Sequence, residues 1–180
     1  MINRVVLNET SYFGRGSRKK LGEELKARGL SKVLLVTDFT LMEANVTKMV
    51  IDVLETAGIT YFVYLHIKPN PTVKNVEGGL AALKENACDF IISLGGGSPQ
   101  DAASCISILA TNGGRPQAYE GVNKSSKKGL PVVAINTTAG TSAEITINYV
   151  ITDEERKVKM VMVDKNSLAL MSVNDPELMV

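Results

Sequence analysis

Phe90-Ile-Ile-Ser-Leu-Gly-Gly-Gly-Ser-Pro-Gln-Asp101 is the stretch whose reading decides the fold. A short apolar run, the length of a buried strand, passes directly into three glycines. Gly95, Gly96 and Gly97 let the backbone turn sharply and let a ligand approach with no Cβ in the way. Ser98 then reads as a helix N-cap. Pro99 reads as the first helical residue, where its missing N–H costs nothing, and Asp101 as the third, in a capping-box-like pair with Ser98. The helix is predicted over Ser98–Ala110. Free N–H groups and the positive end of a helix dipole then meet at the carboxyl edge of a parallel sheet, which suits a phosphate. Gln100 stands where the common dinucleotide fingerprint has its third glycine, and no Gly-Lys-Ser/Thr follows as a P-loop needs. A well-capped βα turn without a ligand is the competing reading of this stretch.

Outward from the turn, three more apolar runs read as buried strands: Val33–Asp38, Thr60–Leu65 and Pro131–Asn136. Successive strands begin about thirty to forty residues apart, the length of a βα unit, so the sheet is predicted to be mostly parallel. The gaps read as helices over Ser17–Arg28, with Gly29 as its stop, over Thr40–Ala57, followed by Gly58, and over Thr72–Ala87. Thr72 supplies a hydroxyl cap, while Gly78 and Gly79 count against reading a helix there. Lys124–Gly129 reads as a solvated loop. Ile145–Thr152, a turn at Asp153–Arg156 and Lys157–Val163 form an antiparallel hairpin in prospect. Val5-Val-Leu7 is a candidate edge strand.

Composition narrows the function. The chain has 180 residues, and 44% are hydrophobic, enough for one packed domain. Lys+Arg (20) and Asp+Glu (19) nearly cancel, so no electrostatic footprint for nucleic acid or an anionic membrane exists. No apolar run approaches the ~20 residues of a membrane span, and the start lacks the apolar stretch of a signal peptide; a cytoplasmic protein is expected. Cys88 and Cys105 form no CxxC pair and read as buried small hydrophobes. His66, alone, reads as a surface or strand-end side chain. Met160, Met162, Met171 and Met179 read as packing residues.

A second polar constellation, Asn136-Thr-Thr-Ala-Gly-Thr-Ser-Ala-Glu144, also follows a buried strand. Its small and hydroxyl-bearing residues offer donors to a pyrophosphate or ribose, although taken alone a threonine-rich loop without a ligand is the better reading. It is not a Gly-x-Ser-x-Gly elbow, and no histidine follows, which excludes a serine hydrolase. Asp38 closes its strand either as a ribose-binding carboxylate or as the N-cap of the next helix. Asn70-Pro71 is equally ordinary turn chemistry.

Together, Asn70-Pro-Thr72, Gly95–Asp101 and Thr137–Glu144 occur in the order and spacing of the iron-dependent (group III) alcohol dehydrogenases, which the whole chain resembles. Asn8–Gly16, Ile147–Glu155 and Val173–Leu178 fit the same resemblance. The resemblance implies a Rossmann-like, mostly parallel sheet flanked by helices, with an antiparallel hairpin near the C-terminus. It implies that residues 1–180 are an N-terminal NAD-binding domain and that the family's helical, metal-holding domain is not in this chain. Asp38 would hold the adenosine ribose and favour NAD over NADP. Gly96, Gly97 and Ser98 would meet the pyrophosphate, with Asp101 ordering that loop. Asn70 would lie beside the cofactor, Thr137, Thr138 and Thr141 around its phosphates and nicotinamide half, Val150 against it, and Lys159 in a charge contact. Ser104 replaces a lysine frequent in the family, and Ser142-Ala-Glu144 replaces Gly-Ser-Glu.

The family's iron is held by one Asp and three His, which a chain with one histidine cannot supply. Cofactor binding without turnover is therefore expected of this chain, within an enzyme that interconverts a small aldehyde and its alcohol, lactaldehyde and 1,2-propanediol being the expected pair. The resemblance also implies a homodimer. The alternative is a stand-alone nucleotide-binding or self-assembling module without activity, and a sugar-phosphate lyase or glycerol dehydrogenase of the same superfold is a third.

Overall fold

The computed structural model describes residues 5–179. In chain order the elements are β1 (Thr10–Phe13), α1 (Leu21–Ala27), β2 (Lys32–Val36), α2 (Phe39–Glu43), α3 (Val46–Ala57), β3 (Thr60–Tyr64), α4 (Val73–Glu85), β4 (Phe90–Gly95), α5 (Gly97–Asn112), β5 (Gly121–Val122), β6 (Val132–Asn136), β7 (Asn148–Asp153), β8 (Val158–Val163) and β9 (Met171–Asn174). Six strands form one sheet in the order β1-β9-β6-β4-β2-β3, and every neighbouring pair is parallel. A smaller sheet, β5-β8-β7, contains the antiparallel β7–β8 hairpin.

Alternation along the strands divides the core. Val33, Leu35, Phe90 and Ile92 point to the face covered by α1 and α3. Leu34, Val36, Ile91 and Ala134 point to the other face, where α4, α5 and the hairpin's Tyr149, Ile151, Met160 and Met162 cover them. Both faces are covered, as a parallel sheet requires. Cys88 and Cys105 are buried and free. Met171 is also buried, in β9. Among the described residues no helix is long and apolar enough to cross a membrane.

Several helix ends obey local chemistry. Gly29 (φ 68°) ends α1, with the Leu30 amide returning to the Leu25 carbonyl at 2.9 Å. Thr72 caps α4 in a capping box with Asn75. α4 runs through Gly78 and Gly79, where packing calls for glycine: a Cβ at Gly78 would stand 2.5 Å from the Tyr64 hydroxyl, and one at Gly79 2.4 Å from Ile106 Cδ1. They let α4 approach β3 and α5 closely.

Two expectations need correcting, and one strand escaped the reading of the sequence. The helix expected over Thr40–Ala57 is two helices, α2 and α3, because Asn45 adopts left-handed backbone (φ 60°), which Asn tolerates better than most residues. The edge strand is Thr10–Phe13, bonded to β9, whereas Val5 and Leu7 are exposed and lie outside any strand. Met171–Asn174 supplies an interior strand between β6 and β1 that the reading of the sequence missed.

The two ends of the described chain are joined by a buried ion pair. Arg18 Nη1 lies 2.7 Å from Asp175 Oδ2 and 2.6 Å from Glu177 Oε2. Asp175 is fully buried and also accepts from the Gly16 and Arg18 amides. Burial works to raise its pKa, but these hydrogen bonds outweigh burial and hold the carboxyl below its ordinary value.

Candidate functional site

The chain leaves β2 toward β3 on one side and later returns to place β4 on β2's other side. The carboxyl ends of β2 and β4 therefore border a topological switch point, the position where open parallel sheets bind ligands. The loops from β2, β4 and β6, the segment after β3 and the hairpin surround it.

Each glycine of the turn has its own reason. Gly95 ends β4 at φ 145°, and a Cβ there would sit 2.6 Å from Pro99 Cγ. Gly96 is the extended N-cap of α5, and a Cβ there would come within 3.0 Å of Thr138 Cγ2. Gly97, the first residue of α5, has nothing within 4 Å of where a Cβ would be. The space above it is the cleft itself. Gln100 occupies the third-glycine position of the common fingerprint and instead staples the turn: Ser93 Oγ donates to its Oε1 at 2.9 Å, and its Nε2 reaches the Gly95 and Ile135 carbonyls, each at 3.4 Å.

The expected Ser98 cap is not formed. Winding begins earlier, with Gly96 as the cap, so Ser98 is the second helical residue, and Asp101 the fifth. Gly96 is extended and packs against Thr138, whose side chain would have to give way to a Cβ. Pro99 is then the third residue, still among the first four whose N–H groups have no intrahelical partner.

Two hollows meet at Gly97 and Ser98. One, about 370 Å³, is bordered by Asp38, Phe39, Ile67, Lys68 and Pro69, with Gly96 and Pro99 at the turn. The other, about 610 Å³, is bordered by Asn70, Asp101, Thr138, Thr141 and Lys159, with the cross-strand pair Val150–Val161 on the hairpin. Of the residues singled out in the sequence, Thr137 borders neither: it is buried, and its amide donates to the Gly95 carbonyl at 3.3 Å. The sequence reading missed Phe39, Ile67, Pro69, Gly140, Thr152 and Val161. Only the alternation of β7 and β8 carried a signal for Thr152 and Val161.

Asp38 Oδ1 accepts from the Leu41 amide at 2.9 Å, capping α2, while Oδ2 takes no part in the cap. Asn136 shapes the threonine loop, donating to the Thr138 carbonyl at 2.7 Å and accepting from the Thr138 amide at 3.1 Å. Lys159 Nζ donates to Asn70 Oδ1 at 2.7 Å, and the Thr152 amide to the Pro71 carbonyl at 2.8 Å, so the hairpin fastens the segment after β3. Burial of Asp101 between α5 and the hairpin pushes its carboxyl up to about 7, against the opposing hydrogen bond from the Val150 amide.

A further hollow of about 610 Å³ lies between α1 and α3, over Gly22, Met49, Val53 and Ala57. It is on the other face of the sheet from α5 and receives no strand end. Among the described residues no three His, Cys, Asp or Glu side chains converge to hold a metal ion. His66 is exposed and packs edge-on against Phe39 and Tyr64.

Comparison with known proteins agrees with this architecture. Over 181 aligned residues, 99% of this chain and 47% of the relative, the chain is 42% identical to lactaldehyde reductase of Escherichia coli K12. It superposes on a crystal structure of 1,3-propanediol oxidoreductase with a TM-score of 0.96 at 37% identity, covering 99% of this chain and 47% of that one. The sulfoacetaldehyde reductase of Bifidobacterium kashiwanohense, solved in complex with NAD+, matches with a TM-score of 0.88 at 26% identity, again over 99% and 47%. The chain spans about half the length of the relatives it matches. The model of the family "Iron-containing alcohol dehydrogenase" matches residues 8–176, and the chain belongs to that family.

Proposed function

We propose that this chain is the NAD-binding half of an enzyme that interconverts a small aldehyde and its alcohol, with lactaldehyde and 1,2-propanediol as the pair. The observation that carries the reading is Gly97: space stands open above its Cα at the junction of two hollows, where a dinucleotide's diphosphate would approach the backbone. The first amides of α5 have no intrahelical partners and face a negative ligand favourably. Asp38 Oδ2 accepts the hydroxyls of one ribose and repels a 2′-phosphate. Thr138, Thr141, Asn70 and Lys159 border the other end, where Val150 and Val161 offer an apolar floor to the nicotinamide ring.

In the whole enzyme the bound nicotinamide ring would supply hydride chemistry toward the carbonyl carbon of a small aldehyde. This chain's residues bind and orient the cofactor. Among the described residues no three His, Cys, Asp or Glu side chains converge as the family's iron would require, and turnover by this chain alone is not expected. The likeness to the E. coli lactaldehyde reductase supports the substrate pair. A homodimer belongs to this reading, and light scattering tests it.

Calorimetric titration with NADH and NADPH tests the reading. NADH is expected to bind, and NADPH at least about tenfold more weakly, a difference of about 1.4 kcal/mol. Absence of binding by either refutes the proposal, and tighter binding of NADPH refutes the role of Asp38.

A further inference from the structure

Phe39 is a large apolar side chain left 54% exposed. Exposed apolar residues are common, but this one is aromatic and walls a concave hollow rather than a convex surface. The ring is also held. It packs edge-on against the His66 imidazole, with centroids 5.7 Å apart and planes at 71°, and His66 packs the same way on Tyr64 at 5.4 Å. His66 is fixed in turn by a backbone bridge to Asp38 and by Asn75 Nδ2, which donates to its carbonyl at 2.7 Å. Ile67 and Pro69 border the same hollow, which makes it an apolar slot beside a carboxylate.

We infer that Phe39 determines affinity for the purine end of the dinucleotide, by stacking the base in the slot formed with Ile67 and Pro69. This rests on the dinucleotide reading above, with its orientation, and adds to it a residue that holds the base. The slot adjoins Asp38, so a base seated there leaves its ribose at that carboxylate and its diphosphate over Gly97. The other hollow, with its threonines and Lys159, is left for the nicotinamide half. Stacking on a phenyl ring asks only for a flat π-face, so the slot selects the base by shape.

The test titrates the full chain with ADP-ribose, which carries the purine end without nicotinamide, and with NADH, in the wild type and in Phe39→Ala, Phe39→Leu and Phe39→Trp. Phe39 is exposed and its α2 is capped by Asp38, so these variants are expected to fold, which thermal unfolding checks. Phe39→Ala is expected to weaken both ligands about tenfold, Phe39→Leu to restore only part of the loss, and Phe39→Trp to bind as the wild type does. The adenine H2 and H8 proton resonances of ADP-ribose are expected to shift upfield on the wild type and not on Phe39→Ala. If the wild type binds both ligands and Phe39→Ala binds them equally well, the inference is overturned and the dinucleotide reading stands. If the wild type binds neither, both are overturned.

Discussion

Asp101→Asn removes one ionisable group from the cleft without changing its shape, and its effect on stability can be worked out from the structure. Burial lifts the Asp101 carboxyl from 3.8 to about 7. The native state therefore holds a proton between these values that the unfolded chain has already released. Stability is greatest below the unfolded value and falls as pH rises through this window, levelling off above the native value. Integrated between about pH 5 and about pH 8, the loss is about 2.5 kcal/mol, since each pKa unit of difference is worth about 1.4 kcal/mol. Among the described residues the other shifted carboxyls are lowered: Asp153 is drawn to about 2 by its hydrogen bonds with Arg156, and Glu9, Glu24 and Asp175 are held below their ordinary values. Urea unfolding of the wild type is expected to show the loss across this range. Asp101→Asn, whose amide oxygen still accepts from Val150, is expected to show a nearly flat profile and higher stability at the alkaline end. Parallel profiles for the two proteins would refute the argument that burial controls this carboxyl.

Substitutions in the glycine turn should separate folding from binding. Gly97→Ala is expected to change stability by less than about 0.5 kcal/mol, because nothing lies near the new methyl, yet to reduce NADH affinity at least about tenfold by calorimetry. Gly95→Ala combines φ 145° with a 2.6 Å clash on Pro99, and chemical denaturation is expected to show a loss of about 3 kcal/mol. Arg18→Ala strands the buried Asp175 carboxylate, and thermal unfolding near neutral pH is expected to report a loss of about 3–5 kcal/mol.

Features set by nearest neighbours along the chain were legible. Gly29 and Gly58 stop their helices because both reach left-handed φ, and Thr72 caps α4 because a hydroxyl there reaches back to the helix amides. The same holds for the strand, glycine turn and helix of residues 90–112, and for the β7–β8 hairpin, whose alternation places Val150 and Lys159 on the cleft side. The break at Asn45 was not legible, because apolar residues continue through it and one backbone conformation makes the break. Strand β9 was missed because four residues carry almost no pattern of their own; Met171 and Val173 become a strand by pairing on both sides, with β1 and β6.

The sequence by itself determined that a mostly parallel α/β sheet carries a glycine turn between a buried strand and a helix, since glycine's freedom is a property of the local chain, although it placed the helix cap at Ser98 instead of Gly96. Tertiary structure alone decided which residues share the cleft. Thr137 turns inward while Thr138 faces out, Phe39 joins Ile67 and Pro69, and two hollows become continuous at Gly97. These relations join loops that follow four different strands and the hairpin. Their distances depend on how the sheet orders its strands, and no local preference encodes that order.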